Sequence, residues 1–117
     1  MLGGDHPSVA VSYNNIGLVL HKQGNYDQAL VFMEKDLAIG LKKLGDVHPD
    51  VADSYSNIGS VLLQQGRYDD ALVAMRKALA IKLEIFGDDH PEVAVIYNNI
   101  AFALQDQANY EQPSGAS

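Results

Sequence analysis

His48-Pro-Asp-Val-Ala52 has counterparts at His6-Pro-Ser-Val-Ala10 and at His90-Pro-Glu-Val-Ala94, each 42 residues from the next. Laid over one another without a gap, residues 5–46 and 47–88 agree at 26 of 42 positions. A period of that length marks a supersecondary unit repeated along the chain. The third copy keeps the pattern through Tyr97-Asn-Asn-Ile-Ala101 and Gln107-Ala-Asn-Tyr-Glu111, then departs at Pro113, where the earlier copies have Ala29 and Ala71. The chain therefore reads as one domain over 1–117, with repeats 5–46 and 47–88, a partial repeat 89–111 and a disordered tail 112–117.

Inside each copy the apolar spacing is helical. Val9, Tyr13, Ile16, Gly17 and Leu20 recur as Val51, Tyr55, Ile58, Gly59 and Leu62, and as Val93, Tyr97, Ile100, Ala101 and Leu104. Offsets of four, three, one and three trace one face of an α-helix. Proline after histidine suits the first helical position, where its missing N–H costs nothing. Gln23-Gly-Asn-Tyr-Asp27 and Gln65-Gly-Arg-Tyr-Asp69 supply a glycine able to end a helix in the left-handed conformation. A second helix follows, carrying Ala29, Leu30, Met33 and Leu37, repeated as Ala71, Leu72, Met75 and Leu79. Small residues at Gly17, Gly59, Ala29 and Ala71 let the two helices of a pair approach closely. The pattern predicts five helices, at 7–23, 26–44, 49–65, 68–86 and 91–109. They are expected to form an all-α solenoid of stacked antiparallel helical hairpins, because one hairpin alone cannot cover its apolar stripe.

Composition narrows the function. Hydrophobic residues make up 47% and charged residues 20%, a globular balance that leaves no room for wholesale disorder. Fifteen acidic against eight basic side chains give a formal charge of -7, which disfavours nucleic acid as a partner. No apolar run approaches the roughly 20 residues of a membrane helix. Met1-Leu-Gly-Gly-Asp5 lacks the basic and apolar regions of a secretory signal, so a cytoplasmic location is favoured. There is no cysteine for a disulfide, a thiolate nucleophile or a sulfur-bound metal.

Tyr55, Ile58, Gly59, Leu62, Ala71, Met75 and Ala78 resemble the large, Leu, Gly, large, Ala, Phe, Ala signature of the tetratricopeptide repeat, with Ile58 at the Leu place and Met75 at the Phe place. The 42-residue unit resembles the longer repeats of kinesin light chains, and the resemblance covers residues 5–111. It implies that the all-α solenoid is a right-handed α-solenoid and that it serves as a protein or peptide interaction module, not an enzyme, with no cofactor. In that family a flank of the first helix of each pair lines a concave groove. Mapped here, the flank comprises Asn14, Leu18 and His21, then Ser56, Ser60 and Leu63, then Asn98, Phe102 and Gln105, with Val11, Asp53 and Val95 one turn earlier. Amide, hydroxyl and apolar groups together suit an extended or helical peptide. Some family members clamp a C-terminal carboxylate through asparagine at the places held here by Leu18, Ser60 and Phe102, so that clamp is missing. With no basic residue among the groove positions, an uncharged or mildly basic ligand is expected. Asn15, Asn57 and Asn99 are read as amides bonding across to a neighbouring hairpin.

The recurring histidines His6, His48 and His90 invite a metal reading, but equivalent positions in stacked hairpins lie too far apart to share an ion. They read as helix entries. No serine has a histidine and acid partner at helical spacing, and catalysis is not expected. The last helix lacks a following helix to cover it, which predicts that Ile96, Phe102, Ala103 and Tyr110 are partly open. Pairing of that face with a second copy, as a homodimer, follows as one expectation. A purely structural repeat scaffold or spacer without a peptide ligand is the alternative function.

Overall fold

The computed structural model describes residues 7–111, with side chains from Tyr13 onward. The expected tail and His6 lie outside these residues. Five helices follow one another: α1 (Pro7–Lys22), α2 (Tyr26–Leu44), α3 (Pro49–Gln64), α4 (Tyr68–Phe86) and α5 (Pro91–Glu111). No strand occurs among the described residues. Each helix packs against the one before it and the one after it, so α1/α2 and α3/α4 are hairpins and α5 closes on α4.

The starts and stops have local causes. His48 is the N-cap of α3, in extended backbone, and its ring Nδ1 accepts the Asp50 N–H at 3.0 Å. His90 does the same for the Glu92 N–H at 3.1 Å. The histidine is thus a capping residue as well as a neighbour of proline, meeting one of the helix's unpaired donors; such caps contribute about 1 kcal/mol. In the turns, Gly24 and Gly66 sit at φ 82° and 76°, where any side chain would strain the backbone.

Packing within a hairpin depends on one small residue. A Cβ at Gly59 would lie 3.0 Å from Met75 Cγ and 3.3 Å from the Ala71 carbonyl oxygen, and Gly17 repeats this contact against Met33 and Ala29. The main core joins the two hairpins through Ala29, Leu30, Met33, Ile58, Val61, Leu62, Ala71 and Ala74. Lys35 and Lys77 lie over the rings of Tyr13 and Tyr55 at 5.6 and 5.5 Å, another contact that repeats. The α4/α5 seam is closed by Ile96 against Ala52 and Ala78, and by Ala103 against Leu72 and Met75. Ile96 and Ala103 are therefore buried, not open as expected, because they face the preceding repeat. Phe102 and Tyr110 are exposed as expected.

Candidate functional site

The first helices α1, α3 and α5 share one surface of the solenoid. Side-chain hydrogen bonds stitch α1 to α3: Asn57 Nδ2 donates to Asn14 Oδ1 at 3.1 Å, and His21 Nε2 donates to Gln64 Oε1 at 2.9 Å. At the turn end, Gln65 Nε2 donates to Asp27 Oδ1 at 2.7 Å, and Gln107 Nε2 to Asp69 Oδ1 at 2.9 Å. These two bonds are the same bond one repeat apart. They join successive repeats at the turn end.

Between α3 and α5 the surface sinks into two adjoining depressions. One is lined by Asp53, Ser56, Lys82, Glu92, Val95, Ile96 and Asn99. The other is lined by Ser60, Leu63, Gln64, Met75, Asn99, Phe102 and Asp106. Six of the sequence-derived groove residues, Asp53, Ser56, Ser60, Leu63, Val95 and Phe102, are thereby brought together. Phe102 is 60% exposed and Val95 57% exposed, so large apolar side chains stand free at the edge of both hollows.

The remaining positions fall elsewhere. Asn98 and Gln105 are exposed and line neither depression; Asn99 and Asp106, one residue later, take their places. The reason is geometric. In α5 the flank that looks toward α3 carries 95, 99, 102 and 106, whereas 98 and 105 look away from the preceding repeat. Leu18 is half-buried and packs against the main core. His21 is half-buried, bonded to Gln64 and edge-on to Tyr26, with ring centroids 5.8 Å apart. Asn14 is taken by Asn57, and the Val11 side chain lies outside those described. Of the three asparagines expected to bridge hairpins, Asn57 does so. Asn15 is exposed, and Asn99 lines both hollows.

Lys82 is the polar residue that sequence reading passed over. It is 4% exposed, yet its ammonium lies 3.2 Å from Asp53 Oδ1 and is bonded to Glu92. Burial works to lower its pKa, but the hydrogen bonds it donates to the two carboxylates outweigh this and hold it above the ordinary lysine value. In return, the Lys82 hydrogen bond keeps Glu92 below the usual carboxylate range. Asp53 is thus tied into the scaffold while still lining the surface. On the other side of α3, Ser54 Oγ donates to Asp36 Oδ2 at 2.5 Å, and burial pushes the Asp36 carboxyl up.

Among the described residues no group of histidine and acidic side chains could hold a metal ion, and no helix is long and apolar enough to cross a membrane.

Stacked hairpins with a signature glycine at the close approach of each full pair, Gly17 and Gly59, define a helical-repeat protein. Family comparison makes this specific: residues 50–112 and 9–50 each match a tetratricopeptide repeat model, and the chain belongs to the tetratricopeptide repeat family. Tetratricopeptide repeats are a non-enzymatic fold that serves protein interaction. Part of the chain is similar to the clustered mitochondria protein homolog of Homo sapiens, 49% identical over 45 residues, which is 38% of this chain and 3% of that protein. The Danio rerio homolog is 51% identical over 43 residues, 37% of this chain and 3% of that protein. Among solved structures, BtubC (BKLC) from P. vanneervenii superposes with a TM-score of 0.84 at 17% identity, covering 97% of this chain and 45% of that one. That likeness is one of fold.

Proposed function

We propose that the chain is a protein-interaction module that takes an extended segment of a partner protein across the α3/α5 depressions. The observation that supports this most is the pair of exposed apolar side chains, Val95 and Phe102, standing beside Ser56, Ser60 and Asn99. Apolar anchors next to amide and hydroxyl groups suit a peptide whose side chains enter hollows while its backbone is hydrogen-bonded. We place the module with the longer, kinesin-light-chain-like repeats on the strength of its 42-residue unit. The domain extends over both full repeats and the partial third, because α5 completes the surface.

The reading is tested with peptides selected from a displayed random library and measured by calorimetry at about 0.15 M salt, near-physiological conditions. Phe102→Ala and Ser60→Arg should each weaken binding about tenfold or more, as loss of an interface anchor does, with helicity unchanged. Affinities equal to the parent would contradict it.

A second reading, self-assembly through the open face of α5, rests on a separate observation. Leu104 is 44% exposed, whereas its equivalent in the second repeat, Leu62, is 7% exposed beneath α4. Tyr97 is likewise uncovered. A symmetric dimer would bury this face. Light scattering should then show about 25 kDa at tens of micromolar, twice the 12.7 kDa chain. A particle of about 13 kDa would rule it out.

A further inference from the structure

The two full repeats differ at one place that reshapes the surface. Lys82 of α4 threads its carbon stem through the seam and delivers its ammonium to Asp53 and Glu92. Forty-two residues earlier the same place holds Gly40, Asp50 stands where Glu92 does, and Val11 where Asp53 does. One of the two carboxylates is kept and the lysine is gone. What remains beside Gly40 is a cavity of about 290 Å³ between α1, α2 and α3. Ile39 and Leu44 form an apolar wall, and Asp36, Asp50, Asp53 and Lys43 complete the lining; Asp53 also meets Lys82, and Asp36 accepts the Ser54 hydroxyl. That volume lies at the bottom of the range for small-molecule sites and suits one long side chain.

The cavity is part of the proposed binding surface. Asn14 and Asn57, which join α1 to α3, line it, and Asp53 stands on the ridge between it and the α3/α5 depressions. Resting on the peptide-binding reading given above, we propose that the cavity beside Gly40 is a socket for a lysine or arginine side chain of the bound segment. The incoming cation occupies the place that Lys82 fills from within the chain in the next repeat. The chemistry is of one kind in both: an apolar stem along the seam and a charged head met by the carboxylate at the equivalent position, Asp50 here and Glu92 there, the arrangement that makes a buried cation affordable. The overall charge of -7 draws such a ligand toward the surface.

The test uses the whole 15N-labelled chain and n-butylammonium chloride as the probe for a lysine side chain, with n-butanol and sodium chloride as controls. The expected result is saturable amide shifts at Gly40, Asp53 and Ser54 with the ammonium alone. Gly40→Lys should reduce the apparent affinity at least about tenfold, the scale of a lost charge-assisted hydrogen bond, by supplying the cation internally. This variant should fold, since a Cβ there meets only Val51 Cγ2, at 3.4 Å. Asp50→Asn, which leaves the space open, should weaken the response as well. Equal response to butanol, no saturable response, or an unaltered response in both variants would overturn the socket. If a selected neutral peptide still perturbs Ser60 and Phe102 while the socket is silent, the groove reading stands alone. If only the socket responds, the groove reading fails and the socket survives as a cation site.

Discussion

Asn57 donates its amide to the carbonyl oxygen of Asn14 across 3.1 Å, joining the first helices of two successive hairpins at the middle of their length. Both side chains are half-buried, so the bond works as a register pin: sliding one hairpin along the other would leave both amides without that partner. Asn57→Ala should lower stability by about 1 kcal/mol, the usual net value of such a bond. Denaturant unfolding measures it, and the expected change is in the midpoint and not the slope.

Gly59 is the closest approach within the second hairpin. Gly59→Leu drives a side chain into Met75 and the Ala71 carbonyl, and should cost about 3 kcal/mol, the upper end of ordinary overpacking. Ala101, its equivalent in α5, is exposed, with no helix opposite it among the described residues. Ala101→Leu should therefore stay within about 0.5 kcal/mol of the parent, as exposed substitutions do. Thermal unfolding of the pair separates a packing constraint from a general intolerance of helix substitution.

Lys82 and Glu92 give the fold an acid-sensitive element. Glu92 is held below its ordinary value of 4.5 by the Lys82 ammonium. Its contribution to stability is therefore complete above the unfolded value and is lost as pH falls through the lower, folded one. Lys82→Met keeps the buried stem and removes the charge, so its stability should fall less steeply than the parent's on acidification below pH 4.5. Chemical unfolding in a pH series checks this. Parallel curves for parent and variant would show that the ion pair contributes nothing to the acid limb.

Met75 is buried in the α4/α5 seam and Phe102 is not. Met75→Ala should cost about 2–5 kcal/mol, as large-to-small core changes do. Phe102→Ala should change stability by less than about 0.5 kcal/mol while weakening the selected peptide. A large loss of stability in Phe102→Ala would assign that ring to the scaffold.

The five helices and their pairing were legible because the chain repeats itself. Each signal, such as His-Pro at an entry, Gly at a turn or Gly17 opposite Ala29, occurs at least twice at the same spacing, and repetition separates it from chance. The groove was legible only by flank. A helical wheel places Asn98 and Asn99 on neighbouring bearings, but which of them faces α3 depends on how the hairpins are stacked. Leu18 illustrates the same limit: its half-burial against the main core depends on how neighbouring helices stack, which a single-helix wheel does not show. The Gln65–Asp27 and Gln107–Asp69 bonds could have been found, since glutamine and acid recur at 42-residue spacing in all three copies. The exchange of Gly40 for Lys82 was visible as a mismatch. Its consequence, an acidic cavity at one seam and a neutralised ion pair at the next, needed the third dimension.

The claim that carries the functional account is that partners bind along α3 and α5. Amide chemical-shift mapping of a selected peptide on the full chain tests it most directly. The account predicts perturbations concentrated at Ser56, Ser60, Leu63, Val95, Asn99 and Phe102. Perturbations centred instead on the exposed second-helix residues Val31, Lys35, Val73 and Lys77 would contradict it.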